Sequence, residues 1–161
     1  MSKPDKPDKP DKPDKPARTG RKIFPTPEEA EAAFYDAFER CNLPAMMAVW
    51  SSEDHAVCIH PGGPRLAGFE AIRASWSDIF SGGQSFKMRV SEVRTISSQT
   101  LSIRMVYETL VPDNGEPPAT PILATNIFAL TPNGWRMVLH HASAAPDGTT
   151  AEEQGTGRVL H

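Results

Sequence analysis

The sequence predicts an α+β fold in which three helices pack on one face of a mostly antiparallel sheet. Up to Phe80, apolar residues recur mainly at helical spacing, whereas from Phe86 onward they recur at every second residue. Helices and strands thus occupy different parts of the chain, which favours separate layers. With 161 residues, of which 39% are hydrophobic, the chain can bury one core.

The first helix is predicted from its N-terminal signals. Thr26 can cap the helix, Pro27 suits its first position, and two glutamates follow in the first turn. Apolar residues then recur at helical spacing to about Arg40, at Ala30, Ala33, Phe34, Ala37, Phe38 and Cys41. A second, short helix is expected from Pro44 to Trp50.

Two short strands and a third helix come next. Residues Ala56 to His60 have strand character, and the "PGGPRLAG" segment provides a turn and a brief strand ending near Gly68. One apolar helical face then predicts a helix from Phe69 to Phe80, through Phe69, Ile72, Trp76, Ile79 and Phe80.

Four long strands complete the order. In the first of them, Phe86, Met88 and Val90 alternate with polar residues. In the second, the alternating apolar residues are expected to lie on the buried face: Leu101, Ile103, Met105 and Tyr107. The last two strands lie in "PILATNIFALTPNGWRMVLHHAS", where Asn-Gly is a strong hairpin signal.

The chain divides into an arm, one domain and a tail. Residues 1–22 carry a Lys-Pro-Asp repeat with nothing apolar to bury, which predicts a disordered, semi-extended arm. Residues 23–145 form the domain. Residues 146–161 lose the apolar periodicity and are expected to form a flexible tail.

Charge and composition argue against several classes of function. The net charge of −3 gives no basic excess for nucleic acid, and no apolar run approaches the roughly 20 residues that span a bilayer. The N-terminus has no apolar signal-peptide core, so we expect a cytoplasmic protein. Cys41 and Cys58 have no disulfide or metal spacing and are expected to be reduced.

The order of elements, with "LPAMMAVWSSEDHAVCIHPGGPRLAGFEAI" and "ATNIFALTPNGWRMVLHHAS", resembles the SnoaL-like branch of the nuclear transport factor 2-like (NTF2-like) superfamily over about residues 26–145. The resemblance implies a cone in which a strongly curved sheet wraps a helix-lined pocket, and a homodimer formed through the outer sheet face. The superfamily includes ketosteroid isomerases, polyketide cyclases, dehydratases and proteins that only bind ligands or partners. The reaction must therefore be argued from the site.

His60 is the first candidate catalytic residue. In the similar ketosteroid isomerases the general base is an aspartate before the Pro-Gly turn, and "IHPGG" puts His60 at the matching position. A histidine can move a proton near neutral pH. The alternative is a strand-end histidine bonded to a backbone carbonyl. Tyr35 lies close to the position of the oxyanion-stabilising tyrosine of those isomerases.

The last strand offers His140 and His141, of which only one can point into the cone. His141 shares strand parity with Trp135, Met137 and Leu139, so we expect His141 to face inward and act in catalysis. By the same rule Asn126 lies on a mostly apolar strand face. A ligand or His141 is its expected hydrogen-bond partner.

Four residues are expected to line the substrate pocket: Trp50, Trp76, Asn126 and Glu108. Both tryptophans have core packing as an alternative. Glu108 is also a weak candidate for a second proton-transfer group, since acids on such strands usually face solvent. His60, His140, His141 and Asp54 could be assembled into a metal site on paper, but their spacing does not place two imidazoles on one face. We therefore predict no metal.

Two functions remain open at this point. The first is a cofactor-independent isomerase, cyclase or lyase acting on a small hydrophobic carbonyl compound, with His60 as the acid/base group. The second is a non-catalytic ligand-binding or homodimeric assembly module. Pocket chemistry distinguishes them: an approach of His60 and His141 across an open cavity favours an enzyme, and a cone filled by aromatic side chains favours a binding or assembly module.

Overall fold

The computed structural model describes residues 22–83 and 86–146. The predicted Lys-Pro-Asp arm and flexible tail lie almost wholly outside these residues. The elements follow the predicted order: α1 (Pro27–Glu39), α2 (Leu43–Val49), β1 (Val57–Ile59), β2 (Arg65–Ala67), α3 (Phe69–Ser81), β3 (Phe86–Ser97), β4 (Leu101–Pro112), β5 (Ile122–Thr131) and β6 (Gly134–Ala144). No helix among the described residues is long and apolar enough to cross a membrane.

The first two helices begin where side chains satisfy their free backbone N–H groups. The Thr26 hydroxyl accepts a hydrogen bond from the N–H of Glu29 at 3.1 Å. The Asn42 side chain accepts one from the N–H of Ala45 at 3.0 Å. Both caps fix the chain direction into a helix whose apolar face then packs on the sheet.

The strands form one six-stranded sheet in the order β2-β1-β6-β5-β4-β3. All pairings are antiparallel except the one between β1 and β6, which is parallel. This parallel pairing sets Ile59, at the end of β1, opposite His141 and Cys58 opposite His140. The predicted α+β class is therefore confirmed, and β1 brings His60 close to the last strand.

The main core lies between the helices and the inner face of the sheet. It includes residues from all three helices, such as Phe34, Met46 and Trp76, packed with Phe128 and Met137 of the sheet. Trp50 is completely buried and forms a bridge with Met137. Trp50 is thus a packing residue of the core.

The prediction of which face of β4 is buried is wrong. Leu101 and Met105 are 40% and 36% exposed on the outer face, whereas Ser102 is completely buried. Arg104, on the same side as Ser102, reaches α1 and binds Glu31. The polar side of β4 turns inward because it bonds to polar groups of the first helix, which the alternation of apolar residues alone does not indicate.

A β-bulge in β6 changes which residues face inward. The pairing passes from Ile127 opposite Leu139 to Phe128 opposite Met137, so Val138 is an extra residue on β6. One extra residue reverses the alternation beyond it. Met137 and His140 therefore lie on the same side of the sheet.

The segment before α1 packs on the β5–β6 turn. Phe24 is 2% exposed and pairs with Gly134, whose N-terminal neighbour in the turn is Asn133. Gly134 has a φ of +88°, and a Cβ there would lie 2.6 Å from the Phe24 carbonyl oxygen. Only glycine fits this close approach.

Candidate functional site

A cavity of about 340 Å³ opens between α1, α3 and the inner face of the sheet. Its walls are mostly apolar and include five aromatic side chains: Phe34, Phe38, Trp76, Phe80 and Phe86. Two imidazole side chains and one carboxyl side chain also line it: His60, His140 and Glu108. None of the described residues that line it is Lys or Arg. The cavity therefore suits an apolar molecule that carries few polar groups.

His60 lies directly after β1, where a turn closed by the Gly63 N–H to the His60 carbonyl holds the backbone. Its ring packs edge-on against Trp76 at 4.8 Å between centroids, and the ring of His140 is 6.3 Å away. The Nε2 atom is 3.7 Å from the Cys58 sulfur. Burial lowers the pKa of His60, so its imidazole is neutral at neutral pH.

His140 projects from β6 into the cavity and is 3% exposed. Its Nδ1 atom lies 2.7 Å from the Oδ1 atom of Asn126 on β5. Burial lowers its pKa to about 3, with smaller contributions from the nearby His60 and His141. This imidazole is therefore also neutral near pH 7.

Asn126 connects His140 to α1 and is completely buried. Its amide nitrogen donates to Glu31 Oε1 at 3.2 Å and to the Tyr35 hydroxyl at 3.0 Å. The other Glu31 oxygen accepts from Arg104 Nε at 2.6 Å. These bonds meet the hydrogen-bonding needs that make a buried asparagine costly when it lacks partners.

Glu108, on β4, is the only carboxyl group among the described residues that line the cavity. It is 4% exposed and accepts a hydrogen bond from the Tyr35 hydroxyl at 2.8 Å. Burial raises its pKa to about 7; the Tyr35 hydrogen bond acts in the opposite direction, and the Glu31 charge raises the pKa further. Burial also raises the pKa of Tyr35, which stays a neutral hydrogen-bond donor.

These side chains divide the chemistry between them. Glu108 is poised to gain or lose a proton near neutral pH, which is the requirement for a general acid or base. The two neutral imidazoles can accept or donate hydrogen bonds without bringing a charge into the cavity. Cys58 is not activated, because burial raises the pKa of its thiol to about 12.

The structure brings together most of the predicted site residues. His60, Trp76 and Glu108 line the cavity, while Tyr35 and Asn126 lie behind it and bond to residues that do. The expectation that acids on such strands face solvent does not hold for Glu108, since α1 covers this part of the strand. Two predicted site residues, Trp50 and His141, lie elsewhere. Trp50 is in the core, away from the cavity lining.

The predicted inward orientation of His141 is wrong. His141 is exposed and lines a depression on the outer face of the sheet with Thr125 and Ser143. Its neighbour His140 takes the inner position. The cause is the bulge at Val138, which breaks the strand parity on which the prediction depended.

Sequence reasoning also missed Glu31 and Arg104. Glu31 lies four residues before Tyr35 in α1, so both side chains point to the same helix face, and both are largely buried. This acid within a predicted core-facing helix was the available signal. No group of three or more His, Cys, Asp or Glu side chains in the described part of the chain could hold a metal ion.

Comparisons with known proteins agree with the fold. A family model described as a SnoaL-like domain matches residues 28–147. A Thiobacillus denitrificans structure, provisionally named a calcium/calmodulin-dependent protein kinase type II association domain, is 45% identical, with 78% of this chain and 99% of that chain covered and a TM-score of 0.74. A Streptomyces avermitilis protein of the NTF2-like family, provisionally named a dehydratase, is 26% identical, covering 73% and 91% of the chains with a TM-score of 0.66.

A curated relative, the F-box protein SKIP8 of Arabidopsis thaliana, is 33% identical over 101 residues. The match covers 63% of this chain but only 42% of that protein's length. Taken with the cone-like arrangement of helices, sheet and cavity, this match over residues 28–147 identifies the family of the chain. The chain belongs to the SnoaL-like domain family of the NTF2-like superfamily.

Proposed function

We propose that this domain is an isomerase, cyclase or lyase that moves a proton on a small hydrophobic carbonyl compound, using its own side chains and no cofactor. The observation that carries the proposal is the position of Glu108, a carboxyl group with a pKa of about 7 in an apolar cavity. A carboxylate with a raised pKa is a stronger base than an exposed one and is half ionised near neutral pH.

In the proposed reaction, ionised Glu108 takes a proton from the carbon next to the substrate carbonyl. The electron pair of the broken C–H bond moves to the carbonyl oxygen and forms an enolate. An isomerase then returns the proton from Glu108 to another carbon. In a lyase, a β-hydroxyl group leaves with that proton as water, and the enolate electrons form the new double bond.

The enolate oxygen requires hydrogen-bond donors. His60 is the first candidate, because its neutral imidazole carries one N–H and lines the cavity. The indole nitrogen of Trp76 is a second, since it is buried and has no hydrogen-bond partner among the described residues. Because burial lowers the pKa of His60, its ring is neutral at neutral pH and acts as a hydrogen-bond donor rather than as a cation, as in sites where a neutral imidazole polarises a carbonyl.

The substrate class follows from the lining. The absence of Lys and Arg among the described lining residues disfavours a phosphate or carboxylate, which would lack a counter-charge. The aromatic walls favour flat or ring-shaped apolar molecules. The dehydratase name of the 26% identical Streptomyces protein supports the lyase form of the proposal.

The test is turnover of a panel of aromatic, steroidal and polyketide-like carbonyl compounds, with products followed by mass spectrometry. Compounds are first selected by thermal shift, since a ligand at about 100 times its Kd stabilises a fold by about 2.7 kcal/mol. We expect Glu108→Gln to keep this binding but to lower turnover at least about 100-fold. Glu53→Gln, which removes an exposed carboxylate, should keep wild-type turnover. Turnover that survives in Glu108→Gln would contradict the role of Glu108.

His60 is tested separately with a matched histidine. His60→Ala should weaken binding and turnover, whereas His55→Ala, which changes an exposed residue in the preceding turn, should change neither. Equal effects of the two substitutions would remove His60 from the site.

A homodimeric assembly module is the second candidate function. It is favoured by apolar residues exposed on the outer face of the sheet, among them Ile96 at 62%, Leu101 and Met105. The association-domain name of the 45% identical Thiobacillus structure points the same way. Sedimentation equilibrium should then give twice the chain mass. Met105→Glu should shift the protein to monomer, whereas Ile23→Glu, at an exposed apolar residue off the sheet, should not.

A further inference from the structure

A continuous chain of hydrogen bonds runs from β4, beside α1, to two of the three ionisable side chains named above in the cavity lining. It begins at Arg104, whose Nη1 atom also binds the more exposed Glu28 at 2.9 Å. From Arg104 it passes through Glu31 to Asn126, where it divides. One branch ends at His140 and the other, through Tyr35, at Glu108.

The Arg104–Glu31 ion pair fixes the direction of every bond that follows it in this chain. A guanidinium group has only donors, so Arg104 must donate to the Glu31 carboxylate. The second Glu31 oxygen can only accept, and it therefore selects the NH₂ side of the Asn126 amide. The Asn126 oxygen must then face His140 at 2.7 Å. His140 accordingly carries its proton on Nδ1 and has a bare Nε2.

The second branch follows the same logic. The Tyr35 hydroxyl accepts from Asn126, so its single proton points to Glu108. Glu108 must therefore offer an unprotonated oxygen on that side. This favours its ionised form, which is the form that acts as a base.

We propose that Glu31 is a positioning residue that sets the direction of the hydrogen bonds in this chain, so that His140 presents Nε2 to the ligand as a hydrogen-bond acceptor. The catalytic consequence depends on the proposed function, but the direction itself does not. The cavity is thereby assigned a ligand with a hydroxyl or N–H group positioned to donate to His140, in addition to its carbonyl.

Glu31→Gln should reverse the chain. The oxygen of the introduced amide must face Arg104, which only donates, so the NH₂ group of that amide faces Asn126. The Asn126 amide then flips and donates to His140, whose proton moves to Nε2. Tyr35 now donates to the Asn126 oxygen and accepts from Glu108, which favours the protonated form of Glu108.

Glu28→Gln is the matched control. It makes the same chemical change at a residue of the same helix that binds the same arginine, but Glu28 does not contact Asn126. Its side chain is 57% exposed, against 7% for Glu31. A general effect on α1 or on Arg104 would appear in both variants, whereas reversal of the chain appears only in Glu31→Gln.

The experiment is ¹⁵N NMR of the histidine side chains of the full chain near pH 7, without ligand. In the wild type and in Glu28→Gln we expect His140 to be predominantly the Nδ1–H tautomer. In Glu31→Gln we expect Nε2–H to predominate, and the Glu108 pKa, followed by carboxyl ¹³C shifts, to rise. The ionisable groups that face Glu108 from the packed elements are Tyr35, Glu31, Cys58, His60 and His140, and the histidine spectra report directly on the protonation of His60 and His140.

The wild-type spectrum alone can overturn the proposal. An Nε2–H tautomer of His140 there would contradict it even if Glu31→Gln failed to fold, and an unchanged tautomer in a folded Glu31→Gln protein would do the same. A catalytic failure is separate, because turnover could be absent while the tautomer reverses as expected. Ligands with a hydroxyl donor should bind at least about tenfold more weakly to Glu31→Gln than to Glu28→Gln.

Discussion

Replacing Glu108 with glutamine should stabilise the protein at alkaline pH. The substitution keeps the shape of the side chain and an oxygen for the Tyr35 hydroxyl, which donates to it at 2.8 Å. It removes the ability to ionise. Because Glu108 is 4% exposed in a cavity with apolar walls, the folded state of the wild type bears the cost of burying its charge.

The magnitude follows from the difference in pKa between the two states. The pKa of Glu108 rises from 4.5 to about 7 in the folded protein. Between these values the unfolded chain releases its proton while the folded chain keeps it, so stability falls as pH rises. Each pKa unit corresponds to roughly 1.4 kcal/mol, so ionisation of Glu108 lowers the free energy of unfolding by about 3 kcal/mol above pH 7. Less than about 1 kcal/mol of this loss is already present at pH 5.

The assay is urea unfolding followed by tryptophan fluorescence at about pH 5, 6, 7 and 8. Titrations of other groups, including both cavity histidines, contribute to each curve but largely cancel when wild type and Glu108→Gln are compared at one pH. The stability difference between the two proteins should change by about 2 to 3 kcal/mol from pH 5 to pH 8, in favour of the variant. With Glu53→Gln, at an exposed carboxylate, no such change is expected.

A stability difference that stays constant with pH would mean that Glu108 ionises equally easily in the folded and unfolded states, and so would contradict the raised pKa. A change in the opposite direction would show that the folded protein stabilises the carboxylate. Either result would remove the raised pKa on which the proposed proton transfer depends.

Three further predictions concern stability. Gly134→Ala should cost about 2 kcal/mol or more, because its Cβ would meet the Phe24 carbonyl, whereas Gly115→Ala has open space around it and should cost about 1 kcal/mol from backbone strain alone. Tyr35→Phe removes partners of two buried groups and should destabilise the fold by about 1 to 3 kcal/mol. His140, with a folded pKa of about 3, contributes a loss of stability as pH falls below about 6.5, since the unfolded chain then binds the extra proton. Glu108 changes stability in the opposite direction over the same range, so the loss is measured in the Glu108→Gln variant. Urea unfolding at matched pH measures all three, and a tolerated Gly134→Ala, a neutral Tyr35→Phe or an acid-insensitive Glu108→Gln variant would each contradict the corresponding prediction.

Much of the fold could be predicted because local signals and global packing agree. The Thr26 cap, the Pro27 start and the apolar stripe of α1 all indicate the same helix, and the structure places it at Pro27–Glu39. His60 was predicted to lie in a pocket because it ends a strand before a Pro-Gly turn. The structure places it in the cavity lining.

The errors in side-chain direction have two physical causes, a contact across the fold and a β-bulge, and both break the alternation along a strand. Ser102 and Arg104 face inward because Arg104 finds Glu31 on α1, and this partner lies far away in sequence. The bulge at Val138 leaves no mark in the pattern of apolar residues, yet it exchanges the positions of His140 and His141. The sequence could thus predict the pocket but not the direction of every side chain in it.

The most direct test of proton transfer is exchange of carbon-bound hydrogen. Carbonyl compounds that raise the Tm are incubated with the protein in D₂O, and loss of the ¹H NMR signal next to the carbonyl is followed over time. We expect exchange with the wild type and with Glu53→Gln, and at least about a 100-fold slower rate with Glu108→Gln. Compounds that bind in the cavity without any protein-dependent exchange would contradict the account and leave the domain as a binding or assembly module.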